Sequence, residues 1–333
     1  MTKETRQLLN EGKPFCLARF PGEEPVLFPF ASETKPQRGD YFTVKGWEKD
    51  GVEVYFGTDR KGCSLLNRAV QPEETLHSID YQTYRIQFEN YQKNFQERGI
   101  QKAILSRIKR VEMPNDFDSL TAFAKACTKY PETLTYLLLH PTEGLWLGAS
   151  PEILLRKRMR WKTVSLAGTQ PKKDSGYTWG EKEKEEQELV SRHIREKLKS
   201  IGVTHIEESG VETTTSGAVA HLKTIFHFDT DAPIENIIAA LHPTPAIAGL
   251  PVADALGLIA ETETHHRRLY TGYMGRISRE KVDLYVNLRC MQIVDGKLGL
   301  YLGGGITPQS KTESEWEETE LKAQTLLNVT YGK

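Results

Sequence analysis

The sequence predicts an α+β fold built on antiparallel sheets. Runs that alternate between apolar and polar residues are joined by hairpin turns, and helices are inserted between groups of these runs. Near the C-terminus, for example, residues 283–293 alternate, Asp295-Gly296 is a favoured hairpin turn, and residues 298–302 return. A wound parallel sheet would instead alternate single strands with single helices, so that arrangement is not expected.

The periodicity of apolar residues predicts further elements along the chain. The helix predicted over 181–200 has Val190, Ile194 and Leu198 at four-residue spacing, which is typical of a helix docked on one side. The first 90 residues mix short alternating runs, such as 52–56, with Pro and Gly turns, and we interpret them as strands and loops. Strands are predicted over 102–111, 134–140, 144–147 and 153–157. Helices are predicted over 117–130, 181–200, 234–241, 252–262 and 312–329.

The composition argues against several classes of protein. The 44 Lys and Arg residues nearly balance the 45 Asp and Glu residues, so no long-range field favours nucleic acid or an anionic membrane as a partner. The cysteines Cys16, Cys63, Cys127 and Cys290 are scattered and form no CxxC pair, which argues against a zinc knuckle or a disulfide framework. The N-terminus lacks the apolar run of a signal peptide, and no stretch approaches 18 apolar residues. We therefore expect a soluble protein of the reducing cytoplasm.

Two pairs of glutamates form the first candidate site. Glu183 and Glu186 are three residues apart and share a face of the predicted helix over 181–200, and Glu315 and Glu318 repeat this spacing on the last helix. Two such helices facing each other would create a cluster of four carboxylates, which like-charge repulsion would destabilise unless a divalent cation neutralised it. Ligands that are all oxygen atoms suit Mg²⁺.

An ordinary structural interpretation of the same glutamates is also open. Glutamate-rich helices are usually solvated faces with lysine partners, and Thr312 with Glu315 matches a capping box at a helix start. Spacing alone does not decide between the two interpretations.

Other candidate residues are glycines and isolated polar residues in apolar runs. The run Gly303-Gly304-Gly305 lies between a strand and a helix, where backbone NH groups can approach an anion, although a bulge or tight turn would explain it equally well. Arg289 suits a carboxylate ligand, and a desolvated Lys102 can act as a base, but both residue types are commonest on surfaces. His221 and His242, judged singly, are more often structural than catalytic.

Taken in order, seven segments closely resemble the motif series of the chorismate-utilising enzymes, a family that contains anthranilate, aminodeoxychorismate, salicylate and isochorismate synthases. These segments are Lys102-Ala-Ile-Leu-Ser-Arg107, Gly148-Ala-Ser-Pro-Glu152, Leu166-Ala-Gly-Thr169, His242-Pro-Thr-Pro-Ala-Ile-Ala-Gly249, Arg267-Arg-Leu-Tyr-Thr-Gly272, Leu288-Arg-Cys290 and Gly303-Gly-Gly-Ile306. The resemblance covers residues 100–330, whereas residues 1–90 are divergent. It implies a single domain over 1–333, with antiparallel sheets packed as a sandwich and helices around a central cleft.

The resemblance also implies roles for named residues. The four glutamates Glu183, Glu186, Glu315 and Glu318 fall where the family places its magnesium ligands and their water-linked partners. Two residues match the catalytic pair of the family. Lys102 corresponds to the lysine that activates water for attack at C2 of chorismate. Glu152 corresponds to the acid that protonates the departing C4 hydroxyl. The residues expected around chorismate and its two carboxylates are Gly168, His221, Ala246, Tyr270, Arg289, Gly303, Gly305 and Lys322.

Within the family, these residues look most like those of isochorismate synthases. In anthranilate synthases, glutamine occupies the position that matches Lys102. Salicylate synthases tend to carry threonine at the position that matches Ala246. Aminodeoxychorismate synthases commonly differ where this chain has 166–169. The resemblance therefore implies a Mg²⁺-dependent isomerase serving menaquinone or siderophore biosynthesis, expected to be a monomer without a glutamine amidotransferase subunit. Salicylate synthase and a catalytically silent chorismate-binding protein are the alternatives. One departure is His265-His266, where relatives often carry Phe-Asp, and this change is expected to affect loop packing.

Overall fold

The structure of the chain, a computed structural model, describes residues 3–36, 40–48, 51, 53–57, 76–174, 176–216 and 219–332. Cys63 and Val52, the first residue of the predicted run 52–56, lie outside these residues. The described part of that run belongs to a strand, Val54–Gly57.

Seventeen strands and seven helices occur in this part of the chain. The strands are β1 (Phe15–Arg19), β2 (Val26–Ser32), β3 (Tyr41–Lys45), β4 (Val54–Gly57), β5 (Lys102–Glu112), β6 (Leu134–His140), β7 (Gly144–Ser150), β8 (Ile153–Lys157), β9 (Trp161–Pro171), β10 (Ile206–Glu208), β11 (Glu212–Ser216), β12 (Val219–Phe228), β13 (Gly249–Leu250), β14 (Tyr273–Ile277), β15 (Val282–Val286), β16 (Cys290–Val294) and β17 (Lys297–Ile306). The helices are α1 (Lys3–Asn10), α2 (Tyr81–Arg98), α3 (Ser119–Lys129), α4 (Glu181–Ser200), α5 (Ile234–Leu241), α6 (Val252–Thr262) and α7 (Thr312–Thr330). None of the helices in the described segments has the length and apolar character needed to cross a membrane.

The strands form two antiparallel sheets, as predicted. The first has the order β2-β1-β6-β7-β16-β17-β5-β13. The second has the order β2-β4-β3-β14-β15-β8-β9-β12, and both β10 and β11 pair with β12. Strand β2 belongs to both sheets, because it pairs first with β1 and then with β4.

A hydrophobic core lies between the two sheets and draws on both. Phe28 of β2 packs on Phe42 of β3 with ring centroids 5.3 Å apart, and Trp146 of β7 lies 4.9 Å from Tyr301 of β17. All four belong to one buried cluster, so the sheets pack face to face. The α+β class and the packing of antiparallel sheets are therefore confirmed, whereas the single-domain assignment of 1–333 stays a prediction.

Helices cover the outer faces of the sheets. Helices α3 and α7 pack on the first sheet, where Phe123 and Leu326 join a cluster with Leu300 of β17. Helix α4 packs on the second sheet through the predicted stripe, and Ile194 joins a cluster with Phe226 of β12. Helices α2 and α6 cover β5 and β13.

Most predicted elements are present within one to three residues of their predicted ends, and the helices over 181–200, 234–241 and 252–262 match at both ends. The hairpin turn at Asp295-Gly296 is confirmed, because both residues have positive φ between β16 and β17.

Two predictions about elements are wrong. The run 283–293 is not one strand, because β15 and β16 lie in different sheets and Arg289, between them, adopts φ 33°. The first 90 residues are not only strands and loops, because they contain α1 and the start of α2. Helix α2 begins with Asp80, whose side chain accepts a hydrogen bond from the backbone NH of Thr83, and it ends at Gly99.

We predict opposite effects on stability for two glycine substitutions. At Gly275 of β14 the φ is 150° and an added Cβ would lie 1.8 Å from the carbonyl oxygen of Asp283, so Gly275→Ala should separate β14 from β15. The expected loss is about 2 kcal/mol or more in the free energy of unfolding. Gly257 in α6 faces open space, so Gly257→Ala should add about 0.5–1 kcal/mol. Chemical denaturation measures both, and a neutral Gly275→Ala would contradict the close pairing of these strands.

Candidate active site

One cavity is lined by every residue that the sequence analysis placed in the site. These fourteen residues are Lys102, Glu152, Gly168, Glu183, Glu186, His221, Ala246, Tyr270, Arg289, Gly303, Gly305, Glu315, Glu318 and Lys322. They come from both sheets, from α4 and α7, and from the loops between strands. A larger cavity of about 1200 Å³ beside β3, α5 and α6 is lined by none of them.

Lys102 begins β5 and is 2% exposed. Its ammonium group forms an ion pair with the carboxylate of Glu186 on α4. Gly305 on the adjacent strand β17 leaves room for this pair, since an added Cβ there would lie 2.7 Å from Cε of Lys102 and 2.9 Å from Oε1 of Glu186. The close approach therefore requires glycine at this position.

Glu152 lies in the short link between β7 and β8 and is 4% exposed. Burial raises the pKa of its carboxyl group to about 7, although the positive charges of Arg289, Lys102 and Lys322 act in the opposite direction. A substantial fraction of Glu152 is therefore protonated at neutral pH, which is the state that a general acid requires.

His221 of β12 and Arg289 form a buried polar pair. Nδ1 of His221 lies 2.9 Å from the carbonyl oxygen of Gly168, which can only accept, so Nδ1 carries the proton. Burial, together with the positive charges of Arg289 and Lys322, lowers the pKa of His221 to about 3, so the ring is neutral. Its Nε2 is then an acceptor, 3.5 Å from Nη2 of Arg289. Nε of Arg289 is buried without a hydrogen-bond partner among the described residues, so the guanidinium retains a free donor for an anion.

The four glutamates lie on two helices and line the same cavity, which supports the facing arrangement predicted from their spacing. The alternative of a solvated face is wrong for Glu315, because this residue is 4% exposed. The capping-box alternative is also wrong, because the N-cap of α7 is Lys311 and no side chain caps the helix.

Lysines pair with three of these carboxylates. Besides the Lys102–Glu186 pair, Lys182 lies 3.1 Å from Glu315, and Lys322 bonds to Glu318. Lys322 also donates to the carbonyl oxygen of Gly303 over 2.8 Å. These pairs fill the interior, and the remaining cavity volume is only about 80 Å³. Pockets for small organic ligands commonly measure about 300–1,000 Å³, so a substrate must displace some of these internal pairs to enter.

The chemistry of the donors fits a magnesium ion. All four side chains supply only oxygen atoms, and burial together with the negative charge of Glu318 raises the pKa of Glu315, which is a sign of charge that a cation would relieve. Among the described residues, no group of three or more acidic, His or Cys side chains is arranged to hold a metal without rearrangement. Metal binding would therefore require at least one Lys–Glu pair to separate.

A sequence profile described as chorismate binding enzyme matches residues 60–331. The chain belongs to the chorismate binding enzyme family. It is 31% identical to isochorismate synthase EntC of Escherichia coli over 243 residues, which are 69% of this chain and 62% of that protein. The chain thus spans less than two thirds of the length of this curated relative.

Solved structures of two proteins share the fold of this chorismate binding enzyme. DhbC from Bacillus anthracis superposes with a TM-score of 0.80 at 21% identity, covering 98% of this chain and 99% of that one. MenF from Escherichia coli, a menaquinone-specific isochorismate synthase, superposes with a TM-score of 0.78 at 20% identity, covering 96% and 89%. At these identities the likeness concerns the fold alone.

The sequence analysis missed several residues that hold the site of this chorismate binding enzyme in shape. Asn287 is fully buried in the loop between β15 and β16. Its amide donates to the carbonyl oxygen of Leu269 over 2.8 Å, and its Oδ1 accepts from the hydroxyl of Tyr136 over 2.7 Å. Its backbone NH donates to Gly272, and its carbonyl accepts from Thr271. Asn287 therefore ties the loop that carries Arg289 to the loop that carries Tyr270.

Lys182 was also missed, although it lies beside Glu183 in the sequence. A lysine in a run of charged residues gives no signal that distinguishes it from a solvated one. At the departure His265-His266, one of the two histidines is buried, and an effect on loop packing stays a prediction. His265 is buried, and its Nε2 lies 3.0 Å from Oγ of Ser106 on β5. The neighbouring Glu263 and Arg267 form a buried ion pair of 2.7 Å.

We predict that Asn287→Ala loosens both loops together. The substitution removes the side-chain hydrogen bonds to the Leu269 carbonyl and from the buried Tyr136 hydroxyl, so the free energy of unfolding should fall by about 2–3 kcal/mol. Hydrogen exchange should accelerate at the backbone amides of residues 271 and 287, because each of these NH groups donates to a carbonyl oxygen on the other loop. Tyr136→Phe removes only one of the bonds and should give a smaller effect, and Asn236→Ala on the exposed face of α5 should give none. Unchanged exchange in Asn287→Ala would show that the loops are held by other contacts.

Proposed function

We propose that this chorismate binding enzyme is an isochorismate synthase, which converts chorismate to isochorismate with Mg²⁺ as its cofactor. The observation that carries the proposal is a buried carboxyl group, Glu152, with a pKa of about 7 in the same cavity as Lys102 and three further cations. An acid and a candidate base are the groups needed to lose one hydroxyl and add another. The names of EntC and MenF agree with this assignment.

The cations of the cavity suit a substrate with two carboxylates. Arg289 has a donor without a partner, and its planar guanidinium can bind a carboxylate through two parallel hydrogen bonds. Lys322 offers a second positive charge, which is held by Glu318 until an anion competes for it. The neutral His221 orients Arg289 without adding charge of its own.

Glu152 is proposed to protonate the C4 hydroxyl as it leaves the ring. Its elevated pKa keeps the proton available near neutral pH, and its burial excludes water that would otherwise solvate the carboxylate. The departing oxygen accepts this proton and leaves as water while the ring double bonds shift.

Lys102 is proposed to remove a proton from the water that attacks C2. A base must act as a neutral amine, and the nitrogen of Lys102 is held by the carboxylate of Glu186, so this pair must separate before the proton is taken. The same carboxylate is among the proposed magnesium ligands. The reaction then adds one water and loses another, and its net result is isomerisation.

The proposed magnesium site consists of Glu183, Glu186, Glu315 and Glu318. When bound, the ion would neutralise and polarise a carboxylate of the substrate. Glu183, whose carboxylate forms no hydrogen bond or ion pair with other described residues, is available as a ligand without breaking any contact.

The features of the site favour this reaction over others of the family. Lys102 suits water as the nucleophile, so a glutamine amidotransferase partner that supplies ammonia is not part of the proposal. Ala246 leaves the cavity wall without the hydroxyl that salicylate synthases tend to carry there. The product is proposed to serve menaquinone or siderophore synthesis, in the cytoplasm, from a protein acting as a monomer.

The direct test is incubation of the purified protein with chorismate, followed by chromatographic separation of the products. We expect a mixture of chorismate and isochorismate with little salicylate, loss of turnover in EDTA, and recovery with Mg²⁺. Glu315→Gln should raise the Mg²⁺ concentration needed for half-maximal activity roughly tenfold or more, on the scale of losing a group that supports metal affinity. The exposed neighbour Glu317→Gln is the matched control and should behave as wild type. Salicylate formed as the first product, or full activity after chelation, would contradict the proposal.

The acid role of Glu152 predicts a specific pH dependence. Only the protonated carboxyl group can donate, so kcat/KM should fall as the pH rises through about 7, the pKa of Glu152 in the free enzyme. Glu152→Gln should reduce kcat by about a hundredfold or more and should abolish this fall. Glu280→Gln at the surface is the control. A Glu152→Gln enzyme that retains the wild-type rate would remove Glu152 from the mechanism.

A further inference from the structure

A third cavity, of about 770 Å³, lies next to the small catalytic cavity and is the larger of these two neighbours. Pro151 and Leu166 line both cavities, so these two residues form part of the wall that the cavities share. Pro151 directly precedes Glu152, and Leu166 begins the segment that leads to Gly168. The larger cavity therefore ends at the wall that holds the proposed acid.

The same two strands line both cavities in succession. Alternate residues of β9 share a face, so Lys162, Val164 and Leu166 line the larger cavity, and Gly168 lies two residues further on in the catalytic one. On β12, Lys223 pairs with Leu166. At about 3.3 Å per residue, Lys162 lies roughly 20 Å along the strand from Gly168. Lys223 is much closer to Gly168, because it lies opposite Leu166.

Most of the charged side chains that line this cavity are basic. The described residues that line it include one carboxylate, Glu132, against five basic side chains, which are Lys129, Arg156, Lys162, Lys172 and Lys223. The whole chain carries a formal net charge of −1, so this excess is local.

Part of the positive charge is not neutralised by a direct ion pair among the described residues. Arg156 pairs with Asp283 over 2.9 Å, and Lys223 pairs with Glu212 over 2.7 Å. Lys162 and Lys172 form no hydrogen bond or ion pair with other described residues. Burial lowers the pKa of Lys162, and so does repulsion by the positive charges of Arg156 and Lys223, whereas the negative charge of Glu212 acts in the opposite direction.

We propose that this cavity is a cationic vestibule that concentrates a small dicarboxylate in front of the catalytic cavity. The identity of that dicarboxylate as chorismate rests on the proposed function. A cleft lined by charges of one sign raises the local concentration of an oppositely charged ligand. The catalytic cavity is filled by its own Lys–Glu pairs. An anion held beside Leu166 and Pro151 lies next to the wall of that cavity and must pass this wall before it competes for those lysines.

The test compares charge-neutralised variants of the Mg²⁺-loaded enzyme at several NaCl concentrations. In Lys162→Gln/Lys172→Gln, kcat/KM for chorismate should fall roughly three- to tenfold at low ionic strength, while kcat stays unchanged. Added NaCl should lower kcat/KM of the wild type more steeply than that of the variant, and the two should converge at about 0.5 M, where screening is strong. Lys162→Arg/Lys172→Arg should retain the wild-type values.

A control separates local from general electrostatics. Lys93→Gln/Lys199→Gln removes the same charge from exposed positions that line neither cavity, and it should match the wild type at every salt concentration. If this control loses as much kcat/KM as the vestibule variant, or if the vestibule variant keeps the wild-type value and salt dependence, the proposal is wrong.

A binding measurement distinguishes failure of the vestibule from failure of the proposed function. A wild-type enzyme that does not convert chorismate would contradict the proposed function, and the vestibule is then judged by calorimetry with isophthalate and benzoate. Lys162→Gln/Lys172→Gln should weaken binding of the dianion by a larger factor than binding of the monoanion. Equal affinities of wild type and variant for isophthalate would overturn the vestibule.

Discussion

The catalytic cavity depends on the mutual compensation of buried charges. An unpaired ion in a protein interior costs several kcal/mol, and Lys102 and Glu315 are both at least nine-tenths buried. Lysine and glutamate side chains neutralise each other in three pairs, and Glu152 is stabilised differently, by retaining its proton near neutral pH. The cavity is consequently stable without a ligand and nearly full. Any anion or cation that enters exchanges one set of partners for another.

The two sheets determine which charges meet. Strands β5 and β17 of the first sheet contribute Lys102 and the glycine run, while β9 and β12 of the second contribute Gly168 and His221. The loop that carries Arg289 crosses from β15 in one sheet to β16 in the other, and Asn287 secures that crossing with side-chain and backbone hydrogen bonds. A change in the packing of the sheets would therefore alter the distance between the anion-binding cation and the proposed acid.

Much of this architecture could be predicted from local patterns in the sequence. Features that depend on contacts between distant residues could not. The turn at Asp295-Gly296 and the apolar stripe of α4 depend on neighbouring residues, so they could be inferred directly. The break at Arg289 was missed because alternation continues across it, although the chain changes sheets there. Helix α2 was missed although its apolar residues have helical spacing, since the Pro and Gly turns before it dominated the interpretation.

The candidate site shows the same division. Residue types and the family resemblance led to fourteen positions that share one cavity. The ion pairs of Lys182 and Lys102 could not be inferred, because they depend on how α4 faces α7 and β5. The charge excess beside Leu166 was equally hidden, because its basic residues come from distant parts of the chain, between residues 129 and 223.

Strand β2 gives the N-terminal residues a part in both sheets. Strand β1 covers the edge of β6, and β3 covers the edge of β14. A protein trimmed to the region that the family profile matches, which begins at residue 60, would expose both edges and would tend to pair with other copies of itself. Strand pairing uses backbone groups that every residue except proline supplies in full. The sequence of the N-terminal strands can therefore vary widely while these strands still protect the molecule from aggregation.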